Sequence, residues 1–148
     1  MTTPRTPYDD TGVAVSRSQS QIRDMLKKAG ARGVQIEENW EGETVAFVRF
    51  LWEIEGNVHR IRLTVARLPE DMHDTLKTPE QRERQAWRGL YWYLKTTLEA
   101  STFGFVRFED IFMSFFESAD GRTIGEVVIP QLEAGLLLLP KGGSDEPT

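Results

Sequence analysis

Acidic and histidine side chains cluster at two places in the sequence where they could hold a metal ion or transfer protons. Asp71, His73 and Asp74 stand together in one segment, and Glu109 and Asp110 precede an apolar run. A metal site normally collects ligands from several elements, whereas the first cluster lies in a single loop. Acidic residues at a helix start also satisfy free backbone N–H groups. We therefore predict no metal site and no cofactor.

No other part of the sequence shows a recognisable catalytic set. His59 lies in a predicted strand, with no acid or nucleophile predictably beside it, and is expected to be half-buried. The chain has no cysteine, which excludes disulfides, thiol nucleophiles and thiolate metal sites. No serine stands in a nucleophile elbow, and the glycines form no phosphate loop. We expect a protein that is not an enzyme.

The strongest chemical signal is a predicted helix over residues 80–101, which carries four aromatic rings among basic side chains. Helical spacing places Trp87 on an apolar stripe and Trp92 nearly opposite, on the polar side. Arg88 and Lys95 are predicted to flank Trp92 there. A large ring on a basic polar side is typical of a contact surface. The apolar stripe consists of Trp87, Leu90, Tyr91, Leu94 and Leu98.

Three roles are open for the polar side of this helix. It could contact another protein, because Trp and Arg dominate protein interfaces. It could instead bind single-stranded nucleic acid, with Trp92 stacking on a base and cations holding phosphates. In the third alternative the N-terminal segment or residues 136–139 cover Trp92 within the same chain. The predicted binding residues are Trp92, Arg84, Arg88, Lys95, Arg60 and Arg62.

The distribution of charge also bears on these alternatives. The 148 residues carry a net charge of −5, which argues against a general polyanion binder. Residues 75–108 hold six Lys and Arg against three Asp and Glu, and residues 109–148 hold two against eight. No secretory signal is evident and no apolar run is long enough to span a bilayer. We expect a cytoplasmic protein with no membrane partner.

The order of apolar patterns predicts an α+β fold. An N-terminal helix, capped by Ser16 or Ser18 and ended by Gly30, precedes three strands of an antiparallel sheet. The middle strand is apolar on both sides, so Phe47 and Leu51 on its second face are expected to need cover from this chain or a partner. The long aromatic helix follows. One or two short C-terminal helices complete the fold, the first predicted over residues 107–118 and the last over residues 124–133.

Three regions are predicted along the chain. Residues 1–12 read as a flexible N-terminal segment, residues 13–140 as a single globular α+β domain, and residues 141–148 as a disordered tail. The boundaries follow the composition, because both end segments are polar and rich in Pro, Thr or Gly.

Three stretches of the sequence resemble small uncharacterised proteins encoded by bacteriophages and prophages. They are residues 17–31 (RSQSQIRDMLKKAGA), 84–100 (RQAWRGLYWYLKTTLEA) and 121–132 (GRTIGEVVIPQL). The resemblance implies a phage-type accessory protein acting in the host cytoplasm, and it brings no catalytic residues. With the residues above, it favours a non-enzymatic binding module whose partner is a host or phage protein, or a second copy in a homo-oligomer. The alternative is a single-stranded nucleic-acid-binding protein of phage DNA metabolism.

Overall fold

Residues 7–42, 44–66 and 78–136 are described by the computed structural model of the protein. The predicted α+β fold, with an N-terminal helix, a three-stranded antiparallel sheet and helices after it, is confirmed. In chain order the elements are α1 (Val15–Ala29), β1 (Gly33–Glu38), β2 (Thr44–Ile54), β3 (Asn57–Ala66), α2 (Pro79–Thr102), α3 (Phe108–Phe112) and α4 (Ile124–Glu133). A 3-10 helix, Met113–Phe115, follows α3.

The sheet is a meander in the order β1-β2-β3, with both neighbouring pairs antiparallel. Glu55 and Gly56 form the two-residue turn between β2 and β3, and both have positive φ angles, 49° and 86°. Such a turn matches the twist of the paired strands. It fixes the register that places Ile54 opposite Asn57. The predicted hairpin is therefore confirmed.

The core lies between the inner face of the sheet and helices α1, α2 and α3. Phe50 on β2 and Ile61 on β3 are fully buried. Their neighbours along each strand point to the opposite face of the sheet and are partly exposed, as strand geometry requires. Trp87 brings the apolar stripe of α2 into this core. The buried apolar residues are Ile22, Leu26, Val45, Ala46, Val48, Phe50, Ile61, Leu63, Val65, Trp87, Leu94, Leu98, Phe108 and Phe112.

The outer face of the sheet carries the second set of apolar side chains predicted for the middle strand. The Phe47 ring lies 5.4 Å from the Arg62 guanidinium, so a cation of the neighbouring strand covers it. Arg49, opposite Arg62 in the ladder, donates through Nε to Glu117 over 2.7 Å. The Glu117 side chain is almost fully buried under these two arginines. The cover expected over Phe47 thus includes an arginine of the same sheet.

The N-terminal end of α1 differs from the prediction. The helix begins at Val15, and Ala14 occupies the N-cap position without a side-chain hydrogen bond. Ser16 and Ser18 lie inside the helix, so the predicted serine caps are wrong. Ser18 is buried against α2, which gives its hydroxyl a partner across the helix pair. The predicted end at Gly30 is confirmed, with a φ angle of 112°.

The single helix predicted over residues 107–118 is wrong. Helix α3 ends at Phe112, and Phe116 leaves the helical path to form a β-bridge with Ile61. Pairing with a distant strand overrides the local apolar pattern here. Helix α4 has the predicted bounds, because the Thr123 side chain accepts a hydrogen bond from the backbone N–H of Glu126, as in a capping box.

Residues 7–12, predicted as part of a flexible segment, contact α2. The Gln85 side chain donates to the carbonyl of Pro7 over 2.7 Å, and the Gln81 side chain donates to the carbonyl of Thr11 over 2.8 Å. These bonds extend the folded region to residue 7. The predicted flexible residues 1–6, the tail 141–148 and the acidic cluster at Asp71 lie outside the described residues.

Candidate functional site

Arg88 does not lie on a solvent-exposed side of α2, as the spacing predicted. The residue is 7% exposed, and its guanidinium donates to the Gln21 side chain over 2.7 Å and to the Ser18 hydroxyl over 3.3 Å. The Tyr91 ring stacks against it at 3.8 Å. The expectation was wrong because α1 packs over this part of α2. Arg88 therefore joins two helices and is not free to contact a partner.

Trp92 is exposed, as a contact residue must be. Its exposed fraction is 39%. The N-terminal residues that reach α2 bond to Gln81 and Gln85. Lys95 lies 5.9 Å from the Trp92 ring and pairs with Glu99 one turn further along. Residues 7–12 therefore leave Trp92 accessible, and residues 137–139 of the other predicted cover lie outside the described residues.

The other predicted cations are divided between two sides of the molecule. Arg84 on α2 donates to the Gln81 side chain over 2.8 and 3.1 Å. Arg60 and Arg62 alternate with buried residues of β3, so they belong to the outer face of the sheet. Arg62 pairs there with Glu126 and lies 3.6 Å from Glu117. The six predicted binding residues consequently do not form one surface.

Two phenylalanines that are not among the predicted binding residues are more exposed than Trp92. Phe103 and Phe105 have exposed fractions of 74% and 79%, and their rings stack with centroids 5.8 Å apart. Phe103 follows Trp92 by eleven positions, about three helical turns, so both lie on one side of α2. We call Trp92, Phe103 and Phe105 the aromatic ridge.

A local signal in the sequence points to the end of this ridge. Gly104 separates the two phenylalanines and has a φ angle of 79°, which favours glycine and ends the helix. The helix predicted from periodicity ends at residue 101, and Phe103 falls two positions beyond it. A helix that ends at a glycine does not itself cover the two rings beside that glycine. The pattern Phe-Gly-Phe at a helix end could therefore have predicted that Phe103 and Phe105 are exposed.

The charges near the ridge are largely neutralised within the chain. A hydrogen bond to Glu99 and the attraction of its carboxylate raise the pKa of Lys95 above its ordinary value. Arg88 is buried, as described above. Tyr93, next to Trp92 in the chain, is 40% exposed, and partial burial raises its pKa. The ridge is therefore mainly apolar, with one paired lysine at its side.

The candidate catalytic residues have structural partners. His59 is partly buried, as expected, and its ring meets Phe116 edge to face at 5.5 Å. Asp110 in the first turn of α3 accepts from Arg107 over 2.9 Å, and this hydrogen bond lowers the pKa of its carboxyl. Within the described ranges no three His, Asp or Glu side chains are grouped so as to hold a metal ion.

Comparisons with protein-family models, with curated proteins and with solved structures found no match for this chain. Across the part of the chain that the structure describes, no helix has both the length and the apolar character needed to cross a membrane.

Proposed function

We propose that this chain is a non-enzymatic binding module that contacts another protein through the aromatic ridge. The observation that carries the proposal is the exposure of Phe103 and Phe105, stacked together at the end of the helix that also exposes Trp92. Large apolar rings left in water on one side of an element mark interaction surfaces. Trp is also among the residues most enriched in interface hot spots.

The chemistry of the ridge favours an apolar protein surface as partner. Full burial of an aromatic side chain removes roughly 150–250 Å² from water. Phe103 and Phe105 are still mostly exposed and Trp92 is 39% exposed, so the three rings can contribute apolar area to the centre of an interface. Lys95 and Glu99 lie on the same side of α2 and supply a polar rim. The partner is another protein or a second copy of this chain. The resemblance to phage-encoded accessory proteins supports a host or phage factor.

The proposal is tested by comparing capture of partners by the wild-type chain and by two variants. Phe103→Ala with Phe105→Ala removes most of the ridge. Trp40→Ala is the matched control, because Trp40 is 81% exposed but lies in the connection between β1 and β2. We expect the double variant to lose a protein that the wild type and the control retain. Sedimentation velocity shows whether that protein is a second copy.

Two results would count against this proposal. One is a set of captured proteins that is identical for the wild type and the ridge variant. The other is a loss of the partner in Trp40→Ala as large as the loss in the ridge variant. Circular dichroism of each variant checks that the fold is intact, so that unfolding is not mistaken for a lost contact.

Single-stranded nucleic acid is the second candidate, favoured by the cation beside the exposed Trp92 ring. Lys95 lies 5.9 Å from that ring. This function predicts that affinity for a labelled oligonucleotide falls steeply as salt rises. Lys95→Glu with Arg84→Glu should then abolish binding while leaving buried Arg88 in place. Equal binding by this variant and the wild type would exclude the candidate.

A further inference from the structure

The outer edge of β3 has backbone groups that face away from the sheet. Glu117 donates its backbone N–H to the carbonyl of Arg60 over 2.8 Å, which shows that the backbone groups of Arg60 point away from β2. Backbone direction alternates along a strand, so the N–H and C=O groups of Arg62, Thr64 and Ala66 face the same way. Among the described residues, the Phe116 bridge at Ile61 is the only pairing on this edge.

A groove begins where that pairing ends. Its volume is about 740 Å³, and it runs between residues 62–66 of β3, helix α2 and helix α4. Leu90 and Tyr93 line it from α2, and Ile129 and Pro130 line it from α4. Ile129 and Tyr93 are both exposed. The groove is therefore apolar along both helices and has hydrogen-bonding backbone groups along the strand.

We propose that this groove takes an apolar peptide segment of a partner protein, bound in extended conformation as an added strand on β3. Only an extended backbone presents N–H and C=O groups at the spacing that matches a strand edge. Alternate side chains of such a segment point to one side, where Leu90 and Ile129 provide apolar contact. In the antiparallel register of the Phe116 bridge, Arg62 lies opposite Phe115, so residues 63–66 offer room for a strand of about four residues, roughly 13 Å long.

The chain itself occupies the first part of this edge in the same way. Phe116 pairs with Ile61 in an isolated antiparallel β-bridge, and Glu117 donates its backbone N–H to the Arg60 carbonyl. The proposed segment continues that pairing along the same edge. Arg62 marks the junction, because it is held by Glu126 at one end of the groove. This inference shares with the proposed function only the role of the chain as a protein-binding module, because the groove and the aromatic ridge are different surfaces.

The test uses the full chain and a fluorescent, end-blocked hexapeptide that alternates leucine with threonine. We expect saturable binding measured by fluorescence anisotropy. Thr64→Pro removes the outward N–H and should weaken binding about tenfold, which corresponds to the loss of one good hydrogen bond. Thr64→Ala is the control, because it keeps that N–H and should keep the affinity.

Ile129→Asp should also weaken binding, because it places a charge in the apolar wall of the groove. Leu132→Asp is its matched control, because Leu132 is similarly exposed on α4 but does not line the groove.

N-methylation of the peptide separates strand addition from general apolar binding. Methyl groups on one set of alternate residues should abolish binding, and methyl groups on the other set should leave it unchanged. Equal binding of both methylated peptides would overturn the inference. So would a failure of the unmodified peptide to bind the wild-type chain.

Two other occupants are outcomes that overturn the proposal as stated. If the wild-type chain is a dimer that Thr64→Pro converts to a monomer, the occupant is a second copy. If the peptide binds only after Leu137→Asp with Leu138→Asp, the occupant belongs to the same chain. Trp92→Ala and Phe103→Ala should not change peptide binding, so failure here and failure of the aromatic ridge are distinguishable.

Discussion

The Arg88 guanidinium is buried between α1 and α2. It is enclosed by the Ser18 hydroxyl, the Gln21 amide oxygen and the Tyr91 ring. The planar guanidinium can donate in several directions while one face stacks on a ring. Arg88 therefore acts as a polar connection between α1 and α2.

Replacing Arg88 should destabilise the fold. We expect Arg88→Met to lower the free energy of unfolding by about 1–3 kcal/mol, because Ser18 and Gln21 lose a charged donor at a buried contact. Arg84→Met is the control, since Arg84 bonds to Gln81 of its own helix. Urea denaturation measures both. Equal losses in the two variants would contradict the role given to Arg88.

Asp120 gives a prediction about pH. Hydrogen bonds from the Ser118 hydroxyl and then from the backbone and side chain of Arg122 lower the pKa of its carboxyl from 3.8 to about 2. Because the folded pKa lies below the ordinary value, these bonds stabilise the turn above pH 3.8 and are lost as the pH falls toward 2. An NMR titration of the carboxyl carbon should show the low midpoint.

The same titration in a variant identifies the cause of the shift. Ser118→Ala removes the first hydrogen-bond donor, so the Asp120 midpoint should move up toward 3.8. A wild-type midpoint already near 3.8 would show that the turn between Ser118 and Arg122 is not held in this way.

One side of helix α2 packs in the core, and its opposite side is exposed. Its inner stripe carries fully buried Trp87, and its outer side carries Trp92 and leads to Phe103. Pro79 at the first helical position and Thr78 as N-cap fix its start, since the Thr78 side chain accepts from the backbone N–H of Gln81. The helix thus carries Trp92 of the aromatic ridge on its outer side and ends directly before Phe103.

Two tryptophan substitutions on α2 should separate these roles. Trp87→Ala should lower the free energy of unfolding by about 3–5 kcal/mol, because it leaves a cavity in the core. Trp92→Ala should change it by less than about 1 kcal/mol, because the ring is already partly in water. Thermal and urea unfolding measure both values. A large loss in Trp92→Ala would mean that Trp92 is a core residue.

How far the sequence predicts each element depends on whether local pattern or distant packing decides it. The bounds of α2 and the hairpin at Glu55 follow from periodicity and turn chemistry, which are local. The break after Phe112 does not, because it depends on Phe116 reaching a strand more than fifty residues earlier. Burial of Arg88 likewise depends on where α1 packs. Periodicity identifies the side of a helix but not the element that covers it.

Across the whole molecule, part of the charge is paired on the outer face of the sheet. The acidic excess of the C-terminal part is met in part by sheet arginines, since Glu117 pairs with Arg49 and Glu126 with Arg62. The basic excess around α2 is reduced by burial of Arg88. The aromatic ridge is consequently left as an apolar feature on a protein of net charge −5, which fits a protein partner better than a polyanion.

Site-specific photo-crosslinking in cells of the natural source can show whether the aromatic ridge is a protein interface. A benzophenone amino acid replaces Phe105 in one chain and Trp40 in another, two exposed positions on different connections. If the ridge contacts a protein, position 105 gives a discrete protein adduct that is absent from position 40. No adduct from position 105, or the same adducts from both positions, would contradict it.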